Sequence, residues 1–402
     1  MSAKEIRVQT LKQRSYQFII LFGFVSMFGD ITYEGGRSIT GPYLALLGVS
    51  ATMVGFIGGV GEFVGYVFRL VSGYVADKTK AYWAITYLGY GLLISMPLLA
   101  LTNNWKVAAI LIILERFGKA VRSPAKDTML SHATKSVGTG WGFAIHEAID
   151  QIGGLIGPLI FTAVFFLKSG YKQGLTILWI PAIVTLLFLT LARFKNPRPE
   201  ELEEQAELES DHTDNKRTLP AIFWWYMAFS FICVTGFANF QMIAYHFKVR
   251  SVISDLQIPM FYAIAMAVDA VVALIAGKVY DKIGLKTLII LPVLTLPIPF
   301  LAFTNSFQAT LISIILWGGV MGIQETIMRA VIADIVPKNK RGFAYGLFNT
   351  AYGAALFAGS VLIGFLYDRN ISYINWFTTI AEVIAVGVFV GLIRTLRQPK
   401  TI

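Results

Sequence analysis

Apolar runs recur along the whole chain, each close to the ~20 residues a helix needs to cross a hydrocarbon core. Short polar turns part them. The runs lie near 16–46, 51–76, 82–102, 105–124, 140–166, 173–194, 219–247, 252–277, 285–304, 307–334, 342–367 and 373–395. This pattern predicts twelve transmembrane helices. The first is long enough to be kinked or two-part around Gly35-Gly36. Trp83, Trp105, Trp141, Trp224, Trp225 and Trp376 fall near predicted helix starts, where an amphipathic ring suits the membrane interface.

Composition sharpens that picture. Hydrophobic residues make up 55% of the 402 residues and charged residues 14%, whereas a soluble domain carries roughly 25% charged residues. So few charges cannot cover a soluble fold of this size, and the chain is read as an all-α integral membrane protein. The net charge of +10 does not point to nucleic acid, because Lys and Arg sit in short clusters between the apolar runs rather than on one face. With twelve spans both termini share a side, and twenty-three Lys and Arg residues fall on it, from Lys4, Arg7, Lys12 and Arg14 to Arg394, Arg397 and Lys400. Only Lys106, Lys168, Lys172, Lys248, Arg250 and Arg369 fall opposite. The positive-inside rule therefore places both termini in the cytoplasm, with the protein multi-pass in the cell membrane. The basic start leads into an apolar run too long for a signal-peptide core, so the first segment is expected to remain as an anchor. The single cysteine, Cys233, excludes an intrachain disulfide framework and a cysteine metal site.

One long polar stretch, 196–218, interrupts the pattern with eight carboxylates and flanking prolines. It reads as a solvated acidic cytoplasmic linker. It divides the chain into a six-helix bundle over 1–195 and a second over 219–402. The halves echo each other. Gly73, Asp77 and Lys78 after the second run return as Gly277, Asp281 and Lys282 after the eighth, and Gly142-Phe143-Ala144 returns as Gly342-Phe343-Ala344. Two pseudo-symmetric bundles are the expected outcome, with a substrate site at the repeat interface as in transporters built from parallel repeats.

These loops carry a resemblance to the major facilitator superfamily over essentially the whole chain. Gly277, Asp281, Lys282, Gly284 and Lys286 match its loop between second and third helices of a bundle, with Leu285 at one basic position. The first-half copy keeps Gly73, Asp77, Lys78 and Lys80 but departs in spacing. The resemblance implies that these loops gate the cytoplasmic side. Arg116, Gly118, Lys119, Arg122, Lys126 and Asp127 look like the fourth-helix signature of one bacterial branch without an agreed substrate. Gly153-Gly154-Leu155-Ile156-Gly157-Pro158 resembles the family's fifth-helix Gly-Pro motif, often associated with antiporters. What the resemblance implies is a monomeric secondary transporter in which the bundles rock about a central site, with a small-molecule substrate and protons as partners in the bilayer and no resident cofactor or metal.

Ionisable residues at membrane depth cost at least ~2.5–3.5 kcal/mol each on insertion scales and are functional candidates by default. The first half holds eleven. Asp30, Glu34 and Arg37 share one face of the first helix, Glu62 and Arg69 one face of the second, Glu115, Arg116 and Lys119 lie on the fourth, and His146, Glu147 and Asp150 on the fifth. Glu62–Arg69 and Glu115–Lys119 suit structural ion pairs. Asp30, Glu34 and Asp150 are the candidate proton-coupling carboxylates, with Arg37 and Arg116 as counter-charges. His146 suits a relay beside Glu147 and Asp150. In the second half, Asn239, Gln241, Gln324, Glu325 and Arg329 are candidate substrate contacts; Glu325 and Arg329 either pair or bracket a charged cargo.

Proton-coupled efflux of a small molecule is the leading expectation. The alternative is export of a divalent cation through Asp30, Glu34, His146, Glu147 and Asp150, which are suitable oxygen and nitrogen ligands. An enzyme is not expected: His146-Glu147 lacks the second histidine of a metalloprotease motif, Asp150 standing at that position.

Overall fold

The computed structural model describes residues 3–202, 219–337 and 341–397, so positions 203–218 of the acidic stretch lie outside the described residues. The described residues are helical, without strands. The first half contains α1 (Ala3–Leu46), α2 (Ala51–Thr79), α3 (Tyr82–Gly91), α4 (Ser95–Leu98), α5 (Trp105–Lys135), α6 (Thr139–Phe166), α7 (Tyr171–Ile177) and α8 (Trp179–Lys195). The second contains α9 (Ala221–Gly236), α10 (Phe240–Val249), α11 (Gln257–Ile283), α12 (Ile290–Thr295), α13 (Pro297–Ala302), α14 (Phe307–Ile335), α15 (Arg341–Arg369) and α16 (Ile371–Arg397). Among the described residues, ten stretches are long and apolar enough to cross a bilayer.

Three local expectations are corrected. The first helix is continuous through Gly35, Gly36 and Pro42 rather than two-part. Its glycines serve close contact instead: a Cβ on Gly35 would lie 3.1 Å from the Gly157 carbonyl oxygen, and one on Gly36 would lie 2.6 Å from the Met96 sulfur. α5 runs to Lys135, past the predicted end at 124, because Pro124 is accommodated inside it and the polar turn after it stays helical. Conversely, the seventh apolar run breaks at Gly236–Asn239. The Asn239 side chain caps α10 by accepting from Met242 N at 2.9 Å, which restarts the helix after the break.

The chain folds as two compact units. The first comprises Met1–Gly36, Phe68–Thr102 and Ile110–Asn215; the second comprises Arg37–Val67, Asn103–Ala109 and Lys216–Ile402. Residues 37–67 thus pack with the C-terminal half. Lipid is as apolar as leucine, so helices in a membrane associate through close packing and hydrogen bonds rather than through apolar burial. In the first unit, a Cβ on Gly153 would lie 2.1 Å from the Met27 carbonyl oxygen and one on Gly157 would lie 2.6 Å from that of Ile31, so α1 and α6 meet backbone to backbone. Phe18 and Phe22 pack with Trp83, whose indole N–H donates to the Pro197 carbonyl at 3.1 Å. Leu202, just beyond, is fully buried, so the start of the acidic stretch is docked on this unit. In the second unit, Trp317 is buried and donates to the Ala238 carbonyl at 2.9 Å, tying α14 to the break in the seventh run.

The repeated loop glycines occupy matching surroundings. Gly73 faces Pro124 of α5 at 3.5 Å, and Gly277 faces Thr326 of α14 at 3.7 Å, each distance measured from an added Cβ. Asp77, Lys78, Asp281 and Lys282 are exposed beside them. Gly284 ends α11 with φ +60°, a left-handed conformation that glycine adopts at no steric cost.

Candidate functional site

Backbone contact between α1 and α6 determines where the charges fall. Met27 and Ile31 touch Gly153 and Gly157. Asp30 therefore stands on the stretch of α1 that meets α6, and Asp150 lies one turn before Gly153. Lys119, Glu34, Arg122 and Lys126 are the charges that act on Asp30. Asp30, Lys126, Glu147 and Lys119 act on Asp150. Three cations of α5 (Lys119, Arg122 and Lys126) and four carboxylates of α1 and α6 (Asp30, Glu34, Glu147 and Asp150) share one neighbourhood. Glu34, 7% exposed, faces Gly154 with its Cγ 3.9 Å from an added Cβ there.

Aromatic rings seat the α5 cations. Arg116 lies 4.7 Å from the Tyr33 ring centroid and donates to the Tyr33 hydroxyl; the Lys119 ammonium stands 3.9 Å over the same ring. Arg122 lies 4.9 Å from the centroid of Tyr90. A cation over an aromatic face loses less on leaving water than one in hydrocarbon. Glu115, fully buried, has Arg122 at 3.8 Å and Arg116 at 4.0 Å, so its ionic partners are these arginines rather than Lys119. Among the described residues neither Glu115 oxygen has a hydrogen-bond donor, and Asp150 Oδ1 is likewise buried without one.

His146 is 3% exposed, and its Nε2 lies 2.9 Å from Ser26 Oγ. Ser26 is 3.2 Å from the Tyr90 hydroxyl and 3.5 Å from the Lys126 ammonium. A hydroxyl offers one proton and two lone pairs. Lys126 can only donate, so Ser26 accepts from it and has one donor and one acceptor left for Tyr90 and His146. Ser26 thus joins α1, α3, α5 and α6 through one oxygen. Ser26, Tyr33, Tyr90 and Lys126 were invisible as site residues in the sequence. Lys126 reads as a topology charge until α5 is seen to continue past Pro124. Of the two tyrosines only Tyr33 carries a signal: it lies between Asp30 and Arg37 in sequence, on a helix already rich in charge.

Not every candidate converges here. Arg37 belongs to the second unit, where it meets Glu62 at 3.3 Å. Glu62, which the sequence pairs with Arg69, thus also has Arg37 as an ionic partner. Asn239 is committed to structure: its amide N–H donates to Ser360 Oγ at 2.7 Å while its oxygen caps α10. Gln241, 6% exposed, is pressed against Gly58, whose Cβ would lie 2.1 Å from Gln241 Oε1. Gln324, 3% exposed, accepts from the Tyr352 hydroxyl at 2.8 Å, and its Nε2 is buried without an acceptor among the described residues. Glu325 is exposed. The Arg329 side chain lies outside the described residues.

One cluster could hold a cation. Single ligand atoms of His146, Glu147 and Asp150 lie within 4.8 Å of one another. The Lys126 charge acting on Asp150 opposes a cation there.

The sequence profile described as Major Facilitator Superfamily matches residues 22–295 and 237–401. An uncharacterized protein of Mycobacterium tuberculosis is 42% identical over 360 residues, covering 89% of this chain and 88% of that protein. An uncharacterized MFS-type transporter of Methanocaldococcus jannaschii is 25% identical over 361 residues, covering 87% of this chain and 88% of that protein. Among solved structures, a POT family transporter in complex with 5-aminolevulinic acid superposes with a TM-score of 0.74 at 14% identity, over 92% of this chain and 95% of that one. That likeness is one of fold. Many helices able to cross a membrane, buried charge at their depth and a profile match along nearly the whole length agree: the chain is a multi-pass membrane transporter and belongs to the Major Facilitator Superfamily.

Proposed function

We propose that the protein is a proton-coupled secondary transporter that exports a small molecule by alternating access. The observation that carries the reading is that the charge of Asp30 acts on Asp150, with Lys119 and Lys126 acting on both. Protonating either carboxylate alters the charge felt by the other and by two lysines. α1, α5 and α6 are thereby re-balanced with each proton bound or released, which is what coupling needs. Export rests on the Gly153–Pro158 motif, where α1 and α6 touch.

We read the topology as twelve crossings with both termini cytoplasmic, in the plasma membrane and as a monomer. The stretch Gln257–Ala302, at 46 residues, would span about 69 Å as one helix, roughly twice the ~30 Å hydrocarbon thickness. The turn at Gly284 divides it into two passages. α5, at 31 residues, is long enough to cross, and its density of charge is what separates it from the ten stretches above. The rocking bodies are the six-helix halves 1–195 and 219–402. Gln324 and Tyr352 are the polar groups of the second half best placed to meet cargo, because Asn239 is spent on the helix break.

Thermal-shift screening of purified protein against metabolites, drugs and metals identifies a cargo, and gradient-driven transport in proteoliposomes then tests coupling. Full gradient-driven transport in Asp30→Asn, Glu34→Gln and Asp150→Asn alike would end the proton reading. The cluster of His146, Glu147 and Asp150 favours one second reading, export of a divalent cation.

A further inference from the structure

In the second unit the first turn of α2 is held by a carboxylate from far along the chain. The opening amides of a helix have no acceptor within it and must find one elsewhere. Here the backbone N–H of Ala51 donates to Asp368 Oδ1 at 3.2 Å, and that of Thr52 donates to Asp368 Oδ2 at 2.8 Å. The Thr52 hydroxyl donates to the same Oδ2 at 2.6 Å. Met53 N donates to Ser50 Oγ at 3.4 Å, and Val54 N to the Ser50 carbonyl at 2.9 Å. All four opening amides of α2 are satisfied, two of them only because the end of α15 reaches them.

The surroundings make this more than a surface hydrogen bond. A Cβ on Gly55 would lie 2.2 Å from the Ser360 carbonyl oxygen, and one on Gly364 would lie 2.5 Å from that of Ala51. The backbones of α2 and α15 are thus in direct contact over two turns, leading up to Asp368. On the same side, the Tyr245 hydroxyl donates to the Val49 carbonyl at 3.0 Å. Asp368 itself is exposed, so water can replace it as an acceptor when the contact opens. A negative group at a helix N-terminus is favoured by the helix dipole as well as by its hydrogen bonds. The contact is therefore strong while closed and cheap to leave, the property of a latch rather than of a core.

We propose that Asp368 is the latch of the gate at the 47–50 end of the molecule: it closes that end by capping α2 and must let go of Ala51 and Thr52 each time the end opens. The proposal rests on the alternating-access reading above, in which α2 and α15 belong to different rocking halves and the 47–50 end faces outward.

The test is a distance measurement between spin labels on Leu46→Cys and Tyr373→Cys in lipid bilayers; both positions are exposed, and Cys233 is buried and stays unlabelled. The unsubstituted background should show a dominant short population and a minor long one. Asp368→Ala should shift their ratio toward the long distance by about fivefold, the effect of one lost helix cap. Thr52→Val, which keeps the carboxylate but removes the hydroxyl, should shift it in the same direction by less. Asp368→Asn, which can still accept from the amides, should restore most of the short population. Faster deuterium uptake in the segment 50–54 of Asp368→Ala, with the rest of α2 unchanged, would show that the variant is folded. An unchanged ratio in Asp368→Ala and Thr52→Val, with two populations present in the background, overturns the latch alone. A single unvarying distance in every protein overturns the latch and the alternating-access reading together.

Discussion

Lys119 holds its ammonium 3.9 Å above the ring of Tyr33 while Arg116 donates to the hydroxyl of the same tyrosine. One side chain of α1 thus seats two cations of α5, both over its ring and Arg116 also through its hydroxyl. Tyr33→Phe should cost about 1.5–3 kcal/mol, the value of a hydrogen bond to a charged group. Tyr33→Leu should cost a further ~0.5–2 kcal/mol, because the ring face goes too. Unfolding of the two variants in detergent measures the difference. Equal losses would show that the ring face holds neither cation.

Ser26 is the smallest residue in the polar network and meets three partners, Tyr90, His146 and Lys126. Ser26→Ala leaves the Tyr90 hydroxyl and His146 Nε2 facing a methyl group, 2% exposed at that position. A loss of about 1–3 kcal/mol is expected, the cost of unpaired buried polar groups. Ser26→Thr keeps the hydroxyl and should recover part of it. A neutral Ser26→Ala would mean that water fills the gap at no cost.

Adjacent glycines of α6 should answer differently to substitution. Gly153→Val drives a Cβ to within 2.1 Å of the Met27 carbonyl oxygen, a backbone atom that cannot yield without moving α1. Gly154→Ala meets nothing nearer than the Glu34 Cγ at 3.9 Å. The first should lose at least ~1–3 kcal/mol through overpacking. The second should keep wild-type melting behaviour. Melting curves of both, recorded in one detergent, check the pair, and similar behaviour would mean that α1 and α6 are not in contact at Gly153.

Much of this architecture could be read from the sequence, because the bilayer imposes one rule on every span: about twenty apolar residues between polar turns. Helix ends came within a few residues where a turn was polar, as at 47–50 and 167–170, and failed where a helix outran its apolar run, as α5 does beyond 124. The site was legible as a list of residues but not as a set of partners. Asp30 and Asp150 stood out because charge is rare at that depth. That Glu62 would meet Arg37, or Glu115 the arginines at 116 and 122, depends on helix rotation and on which glycines let two backbones touch. Neutral residues such as Ser26 and Tyr90 carry no signal until the fold joins Tyr90 to Ser26 and Ser26 to His146.

The two cargo readings part over divalent ions. If protons are the coupling ion and the cargo is organic, adding Mn2+ should leave the melting temperature of the purified protein unchanged. If His146, Glu147 and Asp150 hold a transported cation, Mn2+ should raise it, with His146→Ala abolishing the rise. Mass action gives about 2.7 kcal/mol at an ion concentration one hundred times the dissociation constant, well above the resolution of a thermal scan.

Coupling through Asp30 and Asp150 is tested most directly by counting protons. Once a cargo is in hand, its binding to the solubilised protein in weakly buffered solution should release protons from the wild type. The Asp30→Asn/Asp150→Asn double variant should still bind that cargo and release none. Proton release undiminished in the double variant would contradict the account.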